Sequence, residues 1–138
     1  MQRALFQRNE YQRVHVETAN PGRVLLTLYQ AAIRFVELGK EQIIAGDFAG
    51  KGISLGRAHD IIAEFINALD HKMSPALCSN LEQIYIFMLD RIFMANHQMN
   101  ADHLEPVLVY LNDLYITWEQ AVNEANIEEA RKATSAGM

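Results

Sequence analysis

Apolar residues recur at three- and four-residue steps through four stretches of this chain, and in no stretch do they alternate with period two. The first spacing is one face of a helix; the second would mark a half-buried strand. The spacing therefore points to an all-α fold. After Pro21 the repeat is Leu25, Leu28, Tyr29, Ala32, Phe35 and Val36. Ala58, Ile61, Ile62, Phe65, Ile66 and Leu69 keep the period in a second stretch. The third carries Leu81, Ile84, Tyr85, Met88, Ile92, Ala95 and Met99, and the fourth Leu104, Val107, Leu111, Leu114, Trp118 and Val122.

The punctuation agrees with the period. Each of the three prolines stands near a possible helix start. Asn20-Pro21 and Ser74-Pro75 each offer an N-cap side chain followed by proline at the first helical position, where no backbone N–H is needed. Asp102 and Glu105 match a D-x-x-E variant of the capping box, although Pro106 just behind them would serve equally as the first helical residue. Gly46 can take the left-handed conformation that closes the first helix. The second helix opens weakly, because Gly50, Gly52 and Gly56 lower helix propensity, and it stops around Asp70–Met73. The third runs from Pro75 to Met99, and the fourth from Asp102–Glu105 to near Glu124. Four helices joined by short connections predict an antiparallel up-down-up-down four-helix bundle over residues 20–124. Residues 1–19 form an N-terminal arm expected to pack on it, and residues 125–138, ending ATSAGM, read as a flexible tail.

Bulk properties exclude several classes. A length of 138 residues suits one domain with its own core. A net charge of −5 argues against nucleic acid, whose phosphates need a basic patch. The single cysteine, Cys78, leaves no internal disulfide and reads as a small buried apolar residue. The opening MQRALFQRNEYQRVHVE has no apolar centre and so is not a secretory signal. The longest apolar run, Ile84–Leu89, is far short of the ~20 residues of a membrane span. A cytoplasmic location is expected.

Catalytic constellations are missing. GKGISLG at 50–56 holds glycines and a lysine but does not match the phosphate-binding loop. No Glu-x-x-His pair supplies the ligands of a di-metal bundle. His97 and His103 flank the third loop with Asp102 nearby, and they read as solvated loop histidines, not as ligands; His59-Asp60 reads as a surface pair. No Ser or Cys nucleophile lies beside a histidine. The reading is a non-enzyme with no cofactor and no metal.

One run stands out against this background. Residues 84–96, IYIFMLDRIFMAN, are almost wholly apolar. At 100° per residue the core face of the third helix accounts for only part of the run. Ile86, Leu89 and Phe93 fall on one flank, Phe87 and Met94 on the other, and Asp90 points straight out. On the fourth helix Val109 and Ile116 lie one above the other, away from the core stripe. Wide flank contacts would absorb some of these residues. A four-helix bundle has no inside left for Ile86, Phe93, Val109 and Ile116 together, and burying one such side chain is worth ~1.5–3 kcal/mol. Either the chain associates with itself through a homodimer interface, or it holds an apolar segment of another protein. In the arm, Leu5, Phe6, Tyr11, Val14 and Val16 punctuate a polar stretch and are candidates to fold over a groove as a lid; a tail with incidental apolar residues is the other reading.

From Tyr11 to about Val122 the chain resembles the flagellar secretion chaperone family FliS. The likeness rests on Tyr11, on TANPGRVLLTLYQAAIRFV at 18–36, on AHDIIAEFINALD at 58–70, on Asn80-Leu81, Tyr85, Arg91 and Ala95-Asn96, and on Thr117-Trp118-Glu119 with Ala121. The glycines at 50–56, Pro106 and the His-rich NHQMNADH at 96–103 depart from the family pattern. The resemblance implies a bundle that binds the C-terminal segment of flagellin one to one, prevents its premature polymerisation and helps deliver it to the export gate of the flagellar type III apparatus, without ATP hydrolysis; a co-chaperone or assembly regulator is a further implied partner. It makes Ile86, Phe87, Leu89, Phe93, Met94, Asn96, Val109 and Ile116 the bed for the client, a helix-in-groove mode, with Leu5, Phe6, Tyr11 and Val14 in the covering arm.

Overall fold

The structure is a computed structural model and describes residues 20–136. Those residues form four α-helices and one short 3-10 turn, with no strand among them. The helices are α1 (Pro21–Ala45), α2 (Phe48–Asn67), α3 (Pro75–Gln98) and α4 (Glu105–Ala136), and the 3-10 turn Ala101–Leu104 precedes α4. The all-α helical bundle expected from the spacing is present. The arm residues Leu5, Phe6, Tyr11 and Val14 lie outside the described residues.

Helix ends follow the local chemistry. The Asn20 carbonyl accepts from Arg23 and Val24 N–H, and its Oδ1 also accepts from Arg23 N–H, with Pro21 in the first helical position. At the other end of α1, Gly46 takes φ 75° and donates to Ile43 O, while Asp47 N–H reaches back to Gln42 O. This pair of bonds is a Schellman closure. Asp47 then serves twice, because its carboxylate accepts from Gly50 N–H at 2.9 Å and caps α2. That cap explains how α2 begins at Phe48 although three glycines follow it.

Three boundaries differ from expectation. Helix α2 ends at Asn67, short of Asp70. Asp102 and Glu105 do not make a capping box: Asn100 Oδ1 takes the Asp102 N–H at 3.0 Å and starts the 3-10 turn, and Pro106 becomes the second residue of α4. Helix α4 passes the expected end at Glu124 and continues to Ala136. Residues 124–136 contain neither glycine nor proline and are rich in Ala, Glu, Arg and Lys, all strong helix formers. That stretch lacks an apolar stripe, so apart from the Asn126 contact with Asn20 its helicity rests on propensity. Ser74 stands at the N-cap of α3 as expected, but its side chain makes no capping bond.

The described chain divides into two compact units. One is residues 30–112, with α2, α3, most of α1 and the start of α4. Its core includes Val36, Leu55, Ile62, Met88, Leu104, Val107 and Leu111, all essentially without exposure. Phe65 packs on Tyr85 with ring centroids 5.6 Å apart. Cys78 is buried, as its sequence setting suggests, and its thiol donates to Asp70 O. The other unit takes in residues 20–29 and 113–136. There Trp118 Nε1–H donates to the Tyr29 hydroxyl, Asn20 donates to Asn126 Oδ1, and Gly22 lies against Val122.

Candidate functional site

Helix α3 buries Cys78, Leu81, Tyr85, Met88, Ile92 and Ala95. Of the expected core face, Ile84 is only half-buried because it stands at the edge, and Met99 because it is the left-handed C-cap beyond the last helical residue. The opposite side carries the surplus. Ile86 is 53 % exposed and Phe93 63 % exposed, with Asp90 exposed between them. Leu89 on the same flank is half-buried, as are Phe87 and Met94 on the other. The predicted residues of α3 thus form two apolar flanks on either side of Asp90, not one continuous patch.

The flank toward α4 forms a groove. Asn80, Gln83, Ile84, Phe87 and Tyr110 line an open space of about 400 Å³. Tyr110 meets Phe87 edge-on, with centroids 5.8 Å apart and planes at 75°. On the other side of Phe87 the Arg91 guanidinium lies 5.2 Å from the ring centroid. Arg91 Nη1 is also 3.2 Å from His103 Nδ1, and His103 Nε2 is 2.8 Å from Gln98 Oε1. Arg91 can only donate, so His103 accepts at Nδ1 and donates from Nε2 to the amide oxygen. Both ring nitrogens are occupied, so His103 is a structural link and not the solvated loop histidine of the sequence reading. Among the described residues no group of three or more His, Cys, Asp or Glu is placed to hold a metal ion.

On the remaining flank, Phe93 stacks on His97 with planes 4° apart and centroids at 5.8 Å. Asn96 is half-buried, and Lys51 of α2 donates to its carbonyl oxygen at 2.6 Å and to its Oδ1 at 2.5 Å. On α4, Val109 is 58 % exposed and Ile116 is 52 % exposed. Asn80, Gln83 and Tyr110 were not singled out by sequence reasoning. Tyr110 stands at the border of the α4 stripe, and its partner Phe87 lies on another helix, so no spacing along either segment pairs them.

This surface has the features of a protein-binding face: large exposed apolar side chains, an aromatic-lined groove and amide groups at its edge. The comparisons identify the family. Residues 4–125 match the family described as Flagellar protein FliS. The chain is 30 % identical over 114 residues to the flagellar secretion chaperone FliS of Vibrio cholerae serotype O1, covering 80 % of this chain and 84 % of that one. It is 30 % identical to the Bacillus subtilis protein of the same name, over 81 % of this chain and 83 % of its relative. Against the Salmonella typhimurium FliS it is 28 % identical over 88 % of this chain and 93 % of that one. The chain belongs to the FliS family of flagellar secretion chaperones, whose named function is non-enzymatic.

Proposed function

We propose that this chain binds the C-terminal segment of flagellin in the cytoplasm, keeps it from polymerising early and presents it to the flagellar export gate. The observation that supports this most is the exposure of Ile86 and Phe93, seven residues apart on α3, beside the groove at Phe87 and Tyr110. Two apolar anchors two turns apart suit an amphipathic segment laid along the helix. The client loses chain entropy when it wraps, and the apolar contact has to exceed that loss. Residues 1–19 would cover part of this surface when no client is present. No helix among the described residues is long and apolar enough to cross a membrane.

Calorimetric titration with a peptide spanning the C-terminal segment of flagellin from the same organism tests the reading. The expected result is tight one-to-one binding with a large negative heat-capacity change. Phe93→Asp should weaken that binding while the helical signal and the thermal midpoint stay near those of the wild type. Removing residues 1–17 should preserve the fold and raise the binding of an apolar dye. A chain that is already dimeric and ignores the peptide would make the same face a homodimer interface and sink the chaperone reading.

A further inference from the structure

Ile86, Asp90 and Phe93 lie on one side of α3, within about 60° of each other around the helix axis. All three are exposed. The carboxylate stands one turn from each apolar neighbour, so a segment seated on both Ile86 and Phe93 covers Asp90 as well.

The nearby charges do not neutralise it. Arg91 follows in sequence but is held against Phe87 and His103. Glu82, one turn before Ile86, is itself acidic and lies 3.5 Å from His71. The Asp90 carboxylate has no ion pair, hydrogen bond or other polar contact among the described residues. An ionised carboxylate removed from water without a partner is strongly unfavourable, and an opposite charge with hydrogen bonds is what offsets it.

We propose that the segment held on α3 carries a lysine or arginine in register with Asp90, placed between the two apolar side chains that cover Ile86 and Phe93. This rests on the client reading above and adds a charge requirement to it. Apolar side chains recognise little beyond size, whereas one buried-edge ion pair sets the register of an otherwise greasy segment and speeds its encounter with the face. The same carboxylate repels segments with an acidic residue at that point.

The test uses the full chain and the flagellin C-terminal peptide, titrated at low and moderate salt. Asp90 is exposed, so Asp90→Asn and Asp90→Lys should keep the wild-type thermal midpoint. Asp90→Asn is expected to weaken binding several-fold and flatten its salt dependence. Asp90→Lys should weaken it by about tenfold or more, the order of a close interfacial charge pair. One basic residue of the peptide, exchanged for Glu, should lose affinity with the wild-type chain and regain it with Asp90→Lys. If Asp90→Lys binds like the wild type with the same salt dependence, while Phe93→Asp abolishes binding, the charge requirement is wrong and the client reading stands. If Asp90→Asn weakens binding but no exchange of a basic peptide residue does, the carboxylate faces backbone donors instead and the proposal falls. If the wild-type chain does not bind the peptide at all, both fall together.

Discussion

The indole Nε1–H of Trp118 donates to the hydroxyl oxygen of Tyr29 at 3.0 Å, tying α4 to α1 through two aromatic side chains. Tyr29 is fully buried and Trp118 half-buried, so the bond is shielded from water on one side. Trp118→Phe keeps most of the apolar bulk and removes the donor. It should cost about 1–2 kcal/mol, and Tyr29→Phe, which strands the indole N–H, about the same. The double variant should lose less than the sum, with a coupling of about 1 kcal/mol in urea unfolding. Strict additivity would mean that the bond contributes nothing to stability.

Tyr29 and Trp118 also show what the sequence reveals and what it conceals. Both stand in apolar stripes that the three- and four-residue period identifies, and each helix was legible because its stripe runs over several turns. The bond between them is invisible in either stripe alone, since the residues are 89 positions apart. The helix ends were legible where one residue type decides them, as at Pro21, Gly46 and Pro75. They were missed where a short 3-10 turn, capped by Asn100, stands in front of the helix that Asp102 was expected to cap, or where a helix persists without an apolar face, as beyond Glu124. At the candidate site, Ile86 and Phe93 were readable as surplus because a wheel has no core position for them. The groove at Tyr110 was not readable, because a groove belongs to two helices and depends on their register. Asn96 enters the client bed through family resemblance, and no spacing in the sequence shows that its carbonyl and side-chain oxygens also hold Lys51.

That bond makes Lys51 a cation at the C-terminal end of α3. The last carbonyls of a helix lack internal partners and carry partial negative charge, which an ammonium group offsets. Lys51→Met should therefore destabilise the fold by about 1–2 kcal/mol. Asn96→Ala, which leaves the carbonyl contact in place, should cost less. Neither should change the affinity for a flagellin peptide once the folded fraction is allowed for. An affinity loss for Asn96→Ala at unchanged stability would return Asn96 to the client bed.

The ammonium of Lys40 in α1 donates to Glu105 Oε1 at the start of α4. The hydrogen bond to Glu105, and then the charge of the same carboxylate, hold the Lys40 pKa above its ordinary value of 10.5. A raised lysine pKa means that the folded state binds the proton more firmly than the unfolded chain. Its contribution is fully present below 10.5 and disappears as pH rises through the higher folded value. The difference in thermal midpoint between wild type and Lys40→Met should accordingly be flat across neutral pH and vanish at strongly alkaline pH. Because the pair is exposed, the difference should be small and should shrink with added salt. A difference that grows with salt would point to packing of the lysine stem instead.

The glycines of α1 and α2 divide by what a methyl group would meet. At Gly39 a Cβ would lie 2.5 Å from Leu55 Cδ2 and 2.8 Å from its Cγ. Leu55 is 1 % exposed, so it has no room to retreat. Gly39→Ala should push α1 and α2 apart locally and cost about 1–3 kcal/mol, the usual range for overpacking. At Gly52 and Gly56 a Cβ would meet nothing within 4 Å, and neither has a positive φ. Both sit inside α2, where glycine is about 1 kcal/mol less favourable than alanine. Gly52→Ala and Gly56→Ala should each raise stability by about 0.4–1 kcal/mol, mainly by restricting the unfolded chain. Thermal unfolding of the three single variants checks the ordering. If Gly52→Ala and Gly56→Ala destabilise the chain, that face of α2 is covered by something in solution, and an oligomeric state measured on the same samples would identify a second copy as the cover.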